Sequence, residues 1–189
     1  MRKQQREAIL ALLEETYMGT ETALNYSTPF ELLVAVIMSA QCTDERVNKI
    51  TARIFPKYNT PEKMGALFQE QLEEEIRDCG LFRSKAKNLL ATCKMLTEEY
   101  NSVIPDTVEE LMKLPGVGKK TANVVASIVY KVPAIAVDTH VFRVSHRLGL
   151  AKGDDPLAVE KELQKAIPKN KWSDAHHWLI WHGRKICKA

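Results

Sequence analysis

Residues 111–125 read LMKLPGVGKKTANVV, in which two helical patterns flank the short turn sequence PGVG. Gly116 and Gly118 can adopt positive φ values, and without side chains they let backbone N–H groups approach a ligand closely. A helix that begins directly after the turn points its first N–H groups and the positive end of its dipole into it. The pattern therefore predicts an anion-binding hairpin, to which Lys119 or Lys120 would add positive charge.

The anion predicted for this hairpin is a phosphate of a nucleic-acid backbone. A nucleotide-binding P-loop has the pattern GxxxxGK followed by Ser or Thr. Here Lys120 stands at the Ser/Thr position and Lys113 at the first glycine position, and no strand pattern precedes the turn. The alternative is a tight turn between two helices in which the glycines serve steric needs alone, since short glycine turns join many helices.

The rest of the chain predicts one helix after another. Residues 28–31, TPFE, form a capping box with proline at the first helical position, and the apolar segment that follows predicts a central, buried helix. Further predicted helix starts are Thr60, Ser84, Thr107 and Asp155, and predicted ends are Gly80 and Gly149. The best strand candidate, residues 133–137, is short and begins with proline. We therefore predict an all-α protein of about ten helices.

The composition excludes several protein classes. Of 189 residues, 45% are hydrophobic and 27% are charged, which excludes a disordered or collagen-like chain. The longest apolar run, residues 32–38, is far shorter than the roughly 20 residues of a membrane span, and the chain does not open on a signal-peptide pattern. We therefore expect an intracellular protein. The net charge is only +3, so attraction to nucleic acid must depend on where the cations lie.

Two segments resemble the endonuclease III family of helix-hairpin-helix DNA glycosylases. The first is LPGVG followed by KKTA, residues 114–122, and the second is VDTHVFRV, residues 137–144. Agreement continues through residues 39–41, 80–81 and 176–180, so that the resemblance covers almost the whole chain. It implies an enzyme of base excision repair that removes oxidised pyrimidines from duplex DNA and cleaves the abasic site by β-elimination through a lysine Schiff base.

The resemblance also implies an architecture and a setting. We expect two all-α lobes with a DNA-binding cleft between them, one formed by residues 1–22 and 134–189. The other, residues 23–133, would be a six-helix barrel that contains the helix-hairpin-helix at about residues 107–126. The expected partner is double-stranded DNA, and the protein is expected to be a monomer with no membrane contact, cytoplasmic and nucleoid-associated, and bacterial.

Lys120 and Asp138 are the predicted catalytic residues. Cleavage of an N-glycosidic bond leaves positive charge on the sugar, which a carboxylate stabilises, and an amine that attacks C1′ forms the Schiff base. Lys120 lies in the first turn of the second hairpin helix, and Asp138 lies in the segment that resembles the family's catalytic one. From the residues alone, Lys120 could instead contact phosphate, and Asp138 could cap the helix that contains Val141 and Val144.

Predicted DNA contacts surround these two residues. Gln41 resembles the family's gap-filling residue and Leu81 its wedge beside the orphan base, since an extruded nucleotide leaves a gap in the stack. The remaining predicted DNA-binding residues are Gly116, Gly118, Lys119, Thr121, His140 and Arg143. Further basic residues that could contact phosphate are Lys85, Lys87, Arg147, Arg184 and Lys185, although each could also be a solvated surface residue.

The cysteines depart from the family pattern. The chain contains Cys42, Cys79, Cys93 and Cys187, with no CxxC pair, so the sequence alone supports neither a zinc site nor a disulfide framework. The family usually carries four cysteines that hold a [4Fe–4S] cluster, and only Cys187 aligns with one of them. A cubane needs four ligands. We therefore expect no cofactor in this chain, and a cluster only if a longer form carries the missing loop; otherwise the chain is a variant without it.

Two other functions stay open at this point. A monofunctional glycosylase for mismatched adenine or thymine would use water instead of an amine, and Lys120 argues against it because those relatives carry another residue there. The other alternative is a DNA-binding helix-hairpin-helix module without catalytic activity.

Overall fold

Helices account for all the regular secondary structure of residues 2–189, which are the residues that the computed structural model describes. The eleven α-helices are α1 (Lys3–Tyr17), α2 (Pro29–Ser39), α3 (Asp44–Ile54), α4 (Pro61–Gly65), α5 (Gln69–Glu75), α6 (Phe82–Glu99), α7 (Val108–Leu111), α8 (Lys119–Tyr130), α9 (Thr139–Arg147), α10 (Pro156–Ala166) and α11 (Trp172–Lys185). A 3₁₀ turn at Lys169–Lys171 precedes α11. The predicted all-α class is confirmed. Within the same residues, each helix is too short or too polar to cross a membrane.

Four helices begin at the predicted caps. The hydroxyls of Thr28, Thr60 and Thr107 accept hydrogen bonds from the backbone N–H three residues on, at 3.2, 3.3 and 3.2 Å. The Asp155 carboxylate accepts one from Ala158 N–H at 2.8 Å. Each bond satisfies a helix N–H that has no partner within the helix, which is typically worth about 1 kcal/mol.

The predicted start of α6 at Ser84 is wrong. The helix begins two residues earlier, at Phe82, and its N-cap is Leu81 in the left-handed region (φ +59°), with no side-chain cap. Lys85 N–H donates the first helical hydrogen bond to Leu81 O at 3.0 Å. The turn before α6 is therefore fixed by contacts with other parts of the fold, and not by a local capping side chain.

The chain divides into two compact units, and the first consists of Ala23–Val129. Its centre is α2, in which every residue from Phe30 to Met38 is buried, as the apolar sequence predicts. Helix α6 packs against α2, α4 and α5 and carries a buried stripe that includes Leu89, Cys93 and Leu96.

The second unit combines the N-terminal residues through Thr22 with Tyr130–Ala189. Helix α1 packs against α11, and α9 packs against α10 and α11. The core residues of this unit include Leu10, Leu13, Val141, Val144, Leu163, Trp178 and Leu179. The segment before α9, residues 131–138, is irregular and not a strand, although Ala134, Ile135 and Ala136 are buried.

Two adjacent leucines of α1 test this account of the second core. Leu13 is 5% exposed and Leu12 is 63% exposed. We expect Leu13→Ala to lower the free energy of unfolding by about 2–5 kcal/mol because it leaves a cavity, whereas Leu12→Ala should change it by less than about 0.5 kcal/mol. Urea unfolding of both variants measures the difference. Equal losses would show that α1 does not contribute its Leu13 face to the core.

Candidate active site

The hairpin predicted from residues 111–125 is present, with unequal arms. Its first helix, α7, is a single turn, and α8 begins directly after Gly118. Val117 N–H donates to Leu114 O at 3.1 Å, which closes the turn between them. The apolar face of α8 is buried through Ala122, Val125 and Ala126, so its first turn is held in place from behind.

The two hairpin glycines have different surroundings. Gly116 has φ +77°, and a Cβ added there would lie 2.9 Å from both Cβ and Nδ2 of Asn88. Gly118 is outside the left-handed region, and a Cβ added there would meet no atom of residues 2–189 within 4 Å. Backbone conformation and packing therefore require glycine at position 116, whereas no contact with these residues requires it at position 118.

Helix α6 supports the hairpin from one side. The hydroxyl of Thr92 donates to Pro115 O at 2.8 Å, and Asn88 packs against Gly116. Neither residue was predicted from the sequence. The sequence carries a signal for Thr92, because this residue lies between Leu89 and Leu96 on the apolar stripe of α6. In the structure it is 1% exposed, and a buried hydroxyl requires a hydrogen-bond partner.

The predicted cations stand at the start of α8. Lys119 and Lys120 are the first two residues of the helix and both side chains are exposed, while Thr121 is half-buried. The first N–H groups of a helix have no partner within it, and the dipole makes this end positive. Helix and side chains together give this turn a positive potential that suits an anion.

Asp138 is the N-cap of α9. Its Oδ1 accepts a hydrogen bond from Val141 N–H at 2.8 Å, and the residue is half-buried. The capping interpretation of Asp138 is therefore confirmed. The cap uses one of the two carboxylate oxygens, so it leaves room for a second role of the same side chain.

His140 and Arg143 lie on the first turns of α9. The Arg143 guanidinium donates to Cys187 O through Nε at 3.1 Å and through Nη2 at 2.8 Å, and Nη2 also donates to Gly183 O at 3.0 Å. Its Nη2 is 3.3 Å from His140 Nδ1. Arg143 is half-buried, and it fastens α9 to the end of α11.

Gln41 and Leu81 occupy two turns that touch each other. Gln41 follows α2 with φ +52°, Leu81 precedes α6 with φ +59°, and both are exposed. A Cβ added at Gly80 would lie 2.8 Å from Gln41 O, so the two backbones are in close contact. Left-handed backbone is uncommon for residues other than glycine and concentrates at functional sites.

The structure corrects the expectation that Lys85 could contact phosphate from the surface or be a solvated surface residue. This residue is 4% exposed and is therefore not a surface contact for phosphate. Its Nζ donates to Met38 O at 2.8 Å, to Ala40 O at 2.6 Å and to Cys79 Sγ at 3.1 Å. A signal existed here too, because Lys85 stands four residues before Leu89 on the buried stripe of α6.

The buried thiols of the Ala23–Val129 unit, Cys79 and Cys93, are protonated. Burial raises the pKa of the Cys93 thiol to about 12. Burial also raises the pKa of the Cys79 thiol, although the hydrogen bond from Lys85 opposes this rise. A protonated Cys79 can donate to Met38 O, which lies 3.3 Å from its sulfur. Neither thiol has the thiolate character of a nucleophile or a metal ligand.

Comparison with known proteins decides the family. Residues 34–169 match the family model of the HhH-GPD superfamily of base excision DNA repair proteins. The chain is 50% identical to endonuclease III of Rickettsia prowazekii (strain Madrid E) over 189 residues, which cover 100% of this chain and 89% of the relative. It is also 50% identical to endonuclease III of Bacillus subtilis (strain 168) over 186 residues, 98% of this chain and 85% of the relative. This chain belongs to the endonuclease III family. The family resemblance seen in the sequence is thereby confirmed.

A solved structure of an endonuclease III has the same fold. It is described as a trapped endonuclease III–DNA covalent intermediate in an estranged-adenine complex, and it superposes with a TM-score of 0.96 at 52% identity. The superposition covers 100% of this chain and 89% of the solved one.

The cysteines present do not fit the iron–sulfur cluster that the endonuclease III family implies. Cys187 is the one cysteine of its unit, since Cys42, Cys79 and Cys93 belong to the other. Residues 2–189 contain no group of three or more His, Cys, Asp or Glu side chains placed to hold a metal ion. Because a cubane needs four ligands, this chain's residues supply too few, and no step of the chemistry below uses a cluster.

Substitution of the two hairpin glycines tests the difference between them. We expect Gly116→Ala to lower the free energy of unfolding by about 1–2 kcal/mol, since a Cβ in left-handed backbone is strained and this one also meets Asn88. Gly118→Ala should be neutral or stabilise the protein by up to about 1 kcal/mol. Urea unfolding compares the two. A stable Gly116→Ala variant would show that the turn adopts another conformation in solution.

Proposed function

We propose that this protein is a bifunctional DNA glycosylase and abasic-site lyase that removes oxidised pyrimidines from double-stranded DNA. The observation that carries the proposal is an exposed lysine, Lys120, in the first turn of the hairpin helix α8, in a chain that shares about half its residues with endonuclease III relatives over its full length. The protein acts in base excision repair, and its substrate places it at genomic DNA, in the bacterial nucleoid.

The hairpin binds a DNA phosphate. The open space around Gly118 supports this role, because a phosphate oxygen can approach the backbone N–H groups at the start of α8 where a Cβ would stand in the way. Lys119 adds a charge that the phosphate neutralises, and the hydroxyl of Thr121 lies in the same turn of the helix. Gly116 has a structural role, because the absence of a side chain there lets the turn pack closely against Asn88 of α6.

Lys120 is the nucleophile. Its amine attacks C1′ of the damaged nucleotide, and the base leaves with the electron pair of the N-glycosidic bond and takes up a proton. Opening of the sugar ring then gives a Schiff base between Nζ and C1′. Loss of a proton from C2′ and departure of the 3′ phosphate complete the β-elimination, and water releases Lys120.

Asp138 supplies the carboxylate for the same sugar. Positive charge develops on the sugar as the glycosidic bond breaks, and a fixed negative charge stabilises that transition state. The hydrogen bond from Val141 N–H fixes one oxygen of Asp138, so the carboxylate is oriented before the substrate arrives. The free oxygen can then face the sugar and accept the proton that the attacking amine loses.

Gln41 and Leu81 fill the space that the extruded nucleotide leaves. Both are exposed on adjoining turns, and Leu81 presents an apolar side chain that is 57% exposed. In the free protein this apolar side chain is in contact with water, which is unfavourable. Insertion between bases removes it from water and thereby favours the complex. His140 and Arg143 would meet the DNA at the start of α9.

We assign the two lobes of the expected architecture to the two structural units, and we propose that the protein acts as a monomer. The expected barrel lobe, residues 23–133, is assigned to the Ala23–Val129 unit, which contains the turn of the hairpin. DNA binding by this unit draws on a small number of well-placed cations, since the net charge of the chain is only +3.

Substitution of Lys120 tests the proposal directly. We expect Lys120→Gln to abolish both strand cleavage and the adduct that borohydride traps on a duplex with an abasic site, because the amide cannot form a Schiff base. The fold should survive, since the residue is exposed. Lys119→Gln is the matched comparison: it should weaken DNA binding but still give the adduct at saturating protein. A trapped adduct in Lys120→Gln would exclude Lys120 as nucleophile.

Substitution of Asp138 separates an enzyme from a DNA-binding module. Asparagine caps helices as well as aspartate does, so Asp138→Asn should unfold like the wild type, whereas Asp138→Ala should lose about 1 kcal/mol. Base excision by Asp138→Asn should fall by about 10²-fold or more, with duplex binding retained. If the wild type binds duplex DNA but does not excise bases, the protein is a binding module. If it excises bases but gives no trapped adduct, it is a monofunctional glycosylase.

A further inference from the structure

A buried ammonium group joins the two turns that carry Gln41 and Leu81. Lys85 reaches from the first turn of α6 to the end of α2, and its side chain is almost wholly enclosed. We infer that Lys85 is a positioning residue that sets the spacing and backbone conformation of these two turns, and through them the insertion of Gln41 and Leu81 into DNA. The inference rests on the proposed function.

Each of the three N–H donors of the Lys85 ammonium group has a hydrogen-bond partner. An ammonium group has three N–H donors and no acceptor, and Nζ has three partners: Met38 O at 2.8 Å, Ala40 O at 2.6 Å and Cys79 Sγ at 3.1 Å. The two carbonyls lie at the C-terminal end of α2, where carbonyl groups lack partners within the helix and the dipole is negative. The charge is therefore compensated without a carboxylate.

The three partners are neighbours of the side chains to be positioned. Ala40 directly precedes Gln41, and Cys79 stands two residues before Leu81. The main chain of Lys85 acts on the same turn, because its N–H donates to Leu81 O at 3.0 Å. One residue thus contacts both turns at once, where a Cβ at Gly80 would already collide with Gln41 O.

Both turns need such support because both are strained. Gln41 and Leu81 have φ values of +52° and +59°, a left-handed region that is strained for a residue with a side chain. Strained backbone persists only where the surroundings fix it. Without the ammonium group, the carbonyl of Ala40 would lose this donor and that of Met38 would keep only the Cys79 thiol at 3.3 Å, and the turns would be free to relax to ordinary conformations.

The experiment compares two substrates in the full chain. Lys85→Met keeps the length of the side chain and removes the three donors; Lys94→Met, at an exposed lysine of the same helix, is the control. We expect Lys85→Met to lower single-turnover excision of an oxidised pyrimidine from duplex DNA by about 100-fold, the scale of a misplacement of about 1 Å. Strand cleavage at a preformed abasic site should fall by less than about 3-fold, since no base has to be unstacked there.

A fluorescent adenine analogue opposite the lesion reports on the insertion itself. Its emission rises when it is unstacked, and at saturating protein we expect the rise with the wild type and with Lys94→Met, but a smaller one with Lys85→Met. Gly80→Ala provides a second variant that leaves Lys85 unchanged and forces the turns apart. It should show the same selective loss, and it keeps the inference testable if Lys85→Met does not fold.

The outcomes separate the two proposals. If the wild type acts on neither substrate, the proposed function fails and the inference fails with it. If the wild type is active and both variants lose activity on the two substrates in parallel, or lose none, Lys85 is merely a structural residue and the inference alone is overturned.

Discussion

The polar side chains on the buried side of α6 require hydrogen-bond partners. Their partners lie in α2 and in the hairpin, so these hydrogen bonds fix the positions of both relative to α6. A buried donor without an acceptor costs about 1–3 kcal/mol, and a buried charge costs more. Lys85 and Thr92 are seven residues apart, two turns along the same side of the helix, and both are buried. Lys85 bonds to the end of α2, and Thr92 bonds to Pro115 in the hairpin. Asn88, between them, packs against Gly116.

One consequence is that two proposed DNA-contact regions share a single support. The turns of Gln41 and Leu81 are held at one end of this side of α6, and the hairpin is held about one to two turns further along it. A helix is a stiff element with a rise of about 1.5 Å per residue, so the distance between these regions is fixed by the helical geometry of α6. Flexible loops alone would not keep them in register with a DNA backbone.

The sequence was informative wherever the structure depends on neighbours along the chain. The caps at Thr28, Thr107 and Asp155 and the buried α2 follow from local patterns, and the hairpin follows from its turn residues. The start of α6 could not be predicted in this way, because it has no local capping side chain. The position of Lys85 on the apolar stripe indicated burial, but its partners Met38 and Ala40 could not be predicted, because they are more than forty residues away. The chemical roles of Lys120 and Asp138 stay predictions, since they concern a substrate.

The two hairpin glycines are a second case in which the sequence could not predict the role of a residue, although here the deciding neighbour is closer along the chain. In the sequence, Gly116 and Gly118 have equivalent positions in the PGVG turn, and both permit a close approach by a ligand. Only the fold shows that Asn88 occupies the space beside Gly116, while the space beside Gly118 is open. Gly118, which looks more like part of a ligand site, is therefore the glycine that no contact in the described part of the chain explains.

The arrangement of the hydrogen-bond acceptors around Nζ explains why the residue at position 85 is lysine. Two carbonyl oxygens and a sulfur converge on one nitrogen at 2.6–3.1 Å, and only an ammonium group directs three donors from a single atom. A guanidinium spreads its five donors over a planar fork, and a neutral side chain of similar length would leave at least one carbonyl of α2 without a donor. A buried cation is usually a cost to stability. Here it is the group that satisfies the end of α2 and holds two strained turns together.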